Sequence, residues 1–259
     1  MVLSSEELER FERDGFLLLP QFADHELCDT IKDIALAHLK HKVPPIETET
    51  EYVSKSKEER KRISDAKSHL QERVTVRRLR QVYHRDRVFK EWMESEKIRP
   101  ILKQILKENP TITIAHHNSI MTKMPHTSTQ TMWHQDFRYW HFENDNLVSV
   151  WLALDSEDNQ NGVLEFIPGS HKMQFDISQF DEKEYFKEDI EPNSSLIATK
   201  VSHTLNKGDV VLFHCKLLHR ANKNTTDEPK ISFVYTVKGA SNKALPNTRS
   251  TEFAEVELS

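Results

Sequence analysis

The sequence predicts a mainly β protein with helical additions, built on a double-stranded β-helix (jelly roll, cupin-like) core. Three observations carry this. Apolar residues recur at helical spacing through the first third of the chain. After Asn109-Pro110 the period changes to two. From there to about residue 238, short apolar stretches alternate with polar turns, a pattern that suits a jelly roll. The 259 residues are ordinary for a β-barrel domain with helical additions and can bury a substantial core. They read as one domain, 1–259, with a mostly helical part at 1–110, a jelly-roll core at 111–238 and a tail at 239–259.

Taken in order, Ser5 can cap a helix carrying Leu8 and Phe11, which Gly15 ends. Phe16 to Leu19 reads as a short strand stopped by Pro20. Asp24 caps a second helix whose apolar positions Leu27, Ile31, Ile34, Ala35 and Leu39 recur at three and four. Lys55 to Arg73 is highly charged. It reads as a solvated helix with mixed-sign pairs, or as a lid over an active site. Pro100 can open a further helix bearing Ile101, Ile105 and Leu106. Ile112, Ile114, His116, Asn118 and Ile120 then alternate with their neighbours as in a strand. Further short strands are expected near 131–137, 147–154, 163–167, 200–205, 209–214, 216–221 and 230–238.

Composition narrows the function. A net charge of −5 gives no reason to expect nucleic acid or an acidic membrane as partner. No apolar run approaches the ~20 residues of a membrane span. The first residues lack the basic and apolar regions of a signal peptide, and Glu257-Leu258-Ser259 is not a peroxisomal address. The two cysteines, Cys28 and Cys215, suggest no disulfide framework. A reducing, cytoplasmic setting is expected.

The most informative stretch is His134-Gln135-Asp136. In a strand, residues i and i+2 point to one face, so His134 and Asp136 can aim inward together while Gln135 points away. Two imidazoles and one carboxylate make the facial ligand set of non-haem Fe(II) oxygenases, which leaves the opposite face of the metal open. A third ligand must come from elsewhere, and His203, His214 and His219 all lie downstream.

An ordered series follows His134-Gln135-Asp136-Phe137: Val150-Trp151-Leu152-Ala153-Leu154-Asp155, Asn161-Gly162-Val163-Leu164, Ile167-Pro168-Gly169-Ser170-His171, Lys207-Gly208-Asp209-Val210, His219 and Asn224-Thr225-Thr226. Together with Phe11-Glu12-Arg13-Asp14-Gly15-Phe16 it resembles the phytanoyl-CoA dioxygenase family of 2-oxoglutarate-dependent oxygenases, which includes the ectoine hydroxylases. The likeness runs from about residue 8 to about residue 238. It selects His219 as the third ligand and leaves His214 as a packing residue. It implies Fe(II) on His134, Asp136 and His219, with 2-oxoglutarate and O2 as co-substrates. The implied reaction is hydroxylation of a C–H bond of a small molecule, with release of succinate and CO2. Related halogenases lack the carboxylate, so Asp136 favours hydroxylation.

The co-substrate's distal carboxylate needs a buried cation. The family supplies an arginine eleven residues after the distal histidine, and this chain has Lys230 there. Lysine neutralises charge but lacks the planar fork of arginine. Ala221 replaces a frequent hydroxyl residue. Arg78, in Val76-Arg77-Arg78-Leu79-Arg80, resembles the position of another co-substrate contact, or else belongs to an exposed face. Trp151 matches a strand tryptophan packed near the co-substrate. For the substrate, Trp140 resembles the aromatic wall of ectoine hydroxylases and Arg138 could meet an anionic group, or these residues simply close one barrel end. The rest of the ectoine pattern is not evident. His171 reads as a turn residue, and of the adjacent His116 and His117 one could line the cavity. Two other classes remain: a non-catalytic jelly-roll binding protein, and a cupin-type metalloenzyme that does not use 2-oxoglutarate.

Overall fold

The computed structural model describes residues 1–53 and 75–258. The charged segment 55–73 lies outside the described residues. Two antiparallel sheets face each other as a jelly roll, and helices cover the outer face of the larger one.

The first helix, α1 (Ser5–Asp14), starts one residue earlier than expected. Ser4 is the cap, and its hydroxyl and the Glu7 carboxylate each take a backbone N–H at the helix start. Gly15 ends the helix at φ +83°, and a Cβ there would lie 2.4 Å from His171 Nδ1. The chain then enters β1 (Phe16–Leu19) and α2 (His25–Lys40). Next come β2 (Ile46–Thr48), α3 (Glu49–Val53), β3 (Val76–Arg80), α4 (Arg87–Met93) and α5 (Arg99–Leu106). The first 110 residues, expected to be mostly helical, thus also supply β1, β2 and β3 to the larger sheet.

The remaining strands are β4 (Pro110–Ile112), β5 (Asn118–Lys123), β6 (Thr131–His134), β7 (Leu147–Ala153), β8 (Leu164–Phe166), β9 (Val201–Ser202), β10 (Val210–His214), β11 (His219–Ala221), β12 (Lys230–Gly239) and β13 (Val256–Glu257); α6 (Asn193–Ile197) precedes β9. The larger sheet runs β1-β10-β7-β12-β5-β3-β2, with β4 on β12 and β13 on β4. The smaller runs β6-β11-β8-β9.

The central strands are apolar on both faces because both are covered. Leu152, Leu212, Phe233 and Tyr235 pack on Ile31, Phe89, Trp92 and Ile101 from the helices. Trp151, Val211, Phe213 and Val234 point the other way and meet Leu164, Phe166 and Ala221 of the smaller sheet. Among the described residues, no helix is long and apolar enough to cross a membrane.

One expectation is corrected. The alternating run from Ile112 to Ile120 is two strands, not one. Val237 pairs with Ile112 and Tyr235 with Asn118, so residues 113–117 stand opposite Thr236 alone. Thr236 O accepts from Thr113 N and Thr236 N donates to His117 O, which closes the ladder over the excursion. Backbone hydrogen bonding on β12 overrides the local period. The excursion brings His117 into the barrel.

Candidate active site

β6 and β11 are neighbours, and His134 is directly opposite His219. Opposed residues share a face, so the two imidazoles lie with ring centroids 4.2 Å apart. Gln135 remains extended (φ −113°, ψ 124°), which returns Asp136 to the same side although the paired strand ends at His134. The Nε2 atoms of His134 and His219 lie 3.6 and 3.9 Å from the Asp136 carboxylate oxygens. One donor atom from each of the three residues falls within 4.8 Å of the others, a group able to hold a metal ion.

Local hydrogen bonds prepare these donors. His134 Nδ1 sits 2.8 Å from Met132 O, and His219 Nδ1 sits 2.9 Å from Leu217 O. A carbonyl can only accept, so each Nδ1 carries the proton and each Nε2 presents a lone pair to the shared point. Burial, with His134 adding to it, lowers the His219 pKa to about 3, so the ring is neutral at pH 7. Burial works to raise the Asp136 pKa, but His117, His219 and His134 outweigh it and hold the carboxyl well below its usual range. Asp136 Oδ2 is buried without a hydrogen-bond partner among the described residues. An orphaned buried carboxylate oxygen beside two imidazole lone pairs fits a divalent cation.

Of the adjacent His116 and His117, it is His117 that lines the cavity, a choice the strand reading left open. Its Nε2 lies 3.4 Å from Asp136 Oδ1, and its Nδ1 lies 3.3 Å from Ser149 Oγ. It therefore steadies the carboxylate from behind. His116 turns away and bonds Ser250 Oγ at 2.7 Å. His214 stacks near His171 (centroids 5.1 Å) outside the triad.

From these donors a cavity of about 60 Å³ runs into the barrel. Its walls are Met121, Trp151, Leu164, Phe213 and Val234, and its far end carries Arg77, Lys123 and Lys230. Lys230 is buried there as expected, but it is already paired. Its ammonium donates to Glu157 at 3.0 Å, and both side chains are almost wholly buried. Glu157 also accepts from Trp151 Nε1 at 3.1 Å and Ser232 Oγ at 2.6 Å. Arg77 donates to Glu49 at 3.1 Å and to Thr131 at 2.6 Å. Lys123, directly opposite Lys230 on β5, has only neutral partners among the described residues, namely the carbonyls of Thr129 and Ala221 and the Thr131 hydroxyl. Burial, with Arg77 and Lys230 adding to it, lowers its pKa to about 6.

The other expected residues sit as follows. Trp151 lines the cavity and is fixed by its bond to Glu157. Arg78 pairs with Glu47 at 2.6 Å, and it is Arg77 that reaches the cavity. A register shift between β2 and β3 leaves Arg77 without an opposite residue, and such a bulge re-aims a side chain. Trp140 is buried against His116 and His117. Arg138 is held by Glu184 and lies over the Phe180 ring at 3.7 Å. Cys28 and Cys215 are both free and buried.

The phytanoyl-CoA dioxygenase (PhyH) family profile matches residues 11–232. The chain belongs to this family. Membership makes it a non-haem iron, 2-oxoglutarate-dependent dioxygenase, with Fe(II) as its metal and 2-oxoglutarate and O2 as co-substrates. The family member is 24% identical over 251 residues to the ectoine dioxygenase of Halomonas elongata, which covers 90% of this chain and 70% of that one. It is 31% identical over 141 residues to the peroxisomal phytanoyl-CoA dioxygenase of Mus musculus, covering 49% of this chain and 40% of that one. Among solved structures, it shares the fold of EctD from S. alaskensis with bound Fe (TM-score 0.76, 19% identity, 99% of this chain and 87% of that chain). It shares it too with the epimerase SnoN in complex with Fe3+, alpha ketoglutarate and nogalamycin RO (TM-score 0.72, 17% identity, 97% and 93%).

Proposed function

We propose that this dioxygenase hydroxylates a C–H bond of a small-molecule substrate, with His134, Asp136 and His219 holding its iron. The carrying observation is the convergence of two Nε2 lone pairs and an orphaned Asp136 oxygen at one end of a cavity whose other end is cationic. Iron held there would supply the oxidation, using O2 and 2-oxoglutarate and leaving succinate and CO2. The chain's own residues bind, orient and exclude water. His117 and Ser149 hold Asp136 in place. Met121, Leu164, Phe213 and Val234 keep the passage dry. Because Asp136 fills the position that would otherwise admit a halide, the product carries oxygen.

The far end accommodates the distal carboxylate of 2-oxoglutarate. Arg77 is balanced by Glu49 and Lys230 by Glu157, so among the described residues at this end Lys123 supplies the one amine without a carboxylate partner. A single amine that gains its proton as the carboxylate arrives suits a single distal carboxylate. Lys230, expected to be the anchor, shares the task with Lys123, and Trp151 packs alongside. The comparisons favour a small-molecule substrate, since ectoine is named for relatives of this chain.

A substrate screen read by succinate release, followed by mass analysis, tests this reading. The expected product gains one oxygen, and His134→Ala and Asp136→Ala abolish its formation and weaken Fe(II) binding severely. Undiminished Fe(II)-dependent turnover in both variants would end the assignment, as would a chlorinated main product.

A further inference from the structure

Three arginines stand outside the cationic end of the cavity: Arg78, close enough to Asp136 to feel its charge, Arg249, close enough to His117 to act on it, and Arg80, which acts on Arg249. Residues opposed on neighbouring strands share a face. Arg78 is opposite Met121, and Arg80 is opposite Ser119, which is itself opposite Val234. Met121 and Val234 line the cavity, so both arginines stand on the same face of β3 as these residues, beyond the lining that Arg77 reaches. The third, Arg249, opens the short turn Arg249–Thr251. Ser250 pins this turn: its oxygen lies 2.7 Å from His116 Nε2 and accepts the His141 N–H at 3.0 Å. His116 adjoins His117, the residue that contacts Asp136.

The charges of this cluster are not balanced. Glu47, opposite Arg78 on β2, pairs with it at 2.6 Å. Arg80 and Arg249 have no ion-pair partner among the described residues, and Arg78 Nε is buried without a hydrogen-bond partner. The cations feel one another. Burial and then the Arg80 and Arg78 guanidiniums lower the pKa of Arg249, with Glu252 opposing weakly. Guanidinium forks match the oxygens of carboxylates, sulfates and phosphates, and an anion lowers the mutual repulsion of the three. Arg138, the residue the sequence offers for this task, is engaged by Glu184 and Phe180 instead.

We propose that Arg78, Arg80 and Arg249 receive an oxyanion group of the substrate and so make this dioxygenase selective for anionic small molecules. The inference rests on the proposed function and deepens it. The oxyanion docks on the β3 side of the metal donors, across from the cation pair Lys123 and Lys230, so substrate and 2-oxoglutarate do not compete for one cation. A carbon close to the docked group is the one presented to the metal.

The experiment uses the anaerobic Fe(II) protein with 2-oxoglutarate, titrated calorimetrically with sodium sulfate against chloride at constant ionic strength. Saturable sulfate binding is expected, weakened at least ten-fold in Arg80→Gln/Arg249→Gln. The metal-to-ligand absorption of 2-oxoglutarate and the melting temperature should not change, because neither side chain makes a structural pair. A parallel turnover screen compares carboxylic acids, sulfate esters and phosphate esters with neutral amides of the same skeletons. Stimulation confined to one anionic series would identify the group. No sulfate binding by the parent, equal binding by the double variant, or equal stimulation by neutral amides would overturn the inference while leaving the 2-oxoglutarate band intact. Absence of that band in the parent would instead remove the reading beneath it, and the inference with it.

Discussion

Lys123 and Lys230 face each other on neighbouring strands, but among the described residues only Lys230 has a carboxylate partner. That difference makes their variants diverge. Lys123→Met should weaken 2-oxoglutarate strongly, since truncating one partner of a buried charge pair costs roughly 2–5 kcal/mol, about thirty-fold or more in affinity. Titration of the anaerobic Fe(II) protein checks it, and parent-like affinity would move the anchor elsewhere. Lys230→Met strands Glu157 in the interior, so its main effect should be a loss of about 3–5 kcal/mol of stability, seen in urea unfolding. Adding Glu157→Gln removes the stranded charge and should restore much of that loss. Lys123 also sets a pH dependence. Its folded pKa is lowered from 10.5 to about 6. Between those values the unfolded chain binds more protons than the folded one, so this group's contribution to stability rises with pH and its full penalty lies below about 6. An incoming carboxylate reverses the preference. At pH ~8, 2-oxoglutarate binding should therefore take up close to one proton, measured by calorimetry in two buffers of different ionisation enthalpy. Lys123→Met should abolish the uptake.

At the scale of elements, the site depends on junctions. The α1-to-β1 turn needs Gly15 for two separate reasons. Its φ is +83°, and a Cβ would press on His171 Nδ1 at 2.4 Å. The same residue's carbonyl accepts His214 N at 2.9 Å, which ties the turn to the end of β10. Gly15→Ala should cost at least the ~1–3 kcal/mol of a strained backbone. Adding His171→Ala should recover the steric share only. Unchanged urea midpoints in Gly15→Ala would show that the turn relaxes freely. The excursion at residues 113–117 is the second such junction. It is long enough to send His116 to Ser250 and His117 to Asp136, which an uninterrupted strand could not do.

Across the whole molecule, iron and 2-oxoglutarate act as stabilising ligands. The three metal donors come from the β6 end and from β11, and the cationic end draws on β3, β5 and β12. Ligands that bind only the folded chain add about 2.7 kcal/mol at a hundred-fold excess over Kd. The melting temperature should rise with Fe(II) and again with 2-oxoglutarate, and fall on chelation. Asp136→Ala should lose the iron increment but retain the fold, because an open metal site is not the core. An equal iron increment in Asp136→Ala would place the metal elsewhere.

The sequence by itself determined the fold class, most strand positions and the His134–Asp136 pair. Each of these follows from a local period of two or of three to four, or from spacing along one strand. His219 needed family resemblance to be chosen over His203 and His214, because partners in a ladder are set by register rather than by distance along the chain. Lys230 was legible as a buried cation, but its bond to Glu157, 73 positions away, was not. Arg77 and Lys123 escaped, and the choice of His117 over His116 stayed open, for the same physical reason. A bulge re-aimed Arg77, a cross-strand register placed Lys123 beside Lys230, and a five-residue excursion closed by Thr236 delivered His117. Which charges stay balanced and which remain open to a ligand is a property of packed neighbours, and only the tertiary structure decides who those neighbours are.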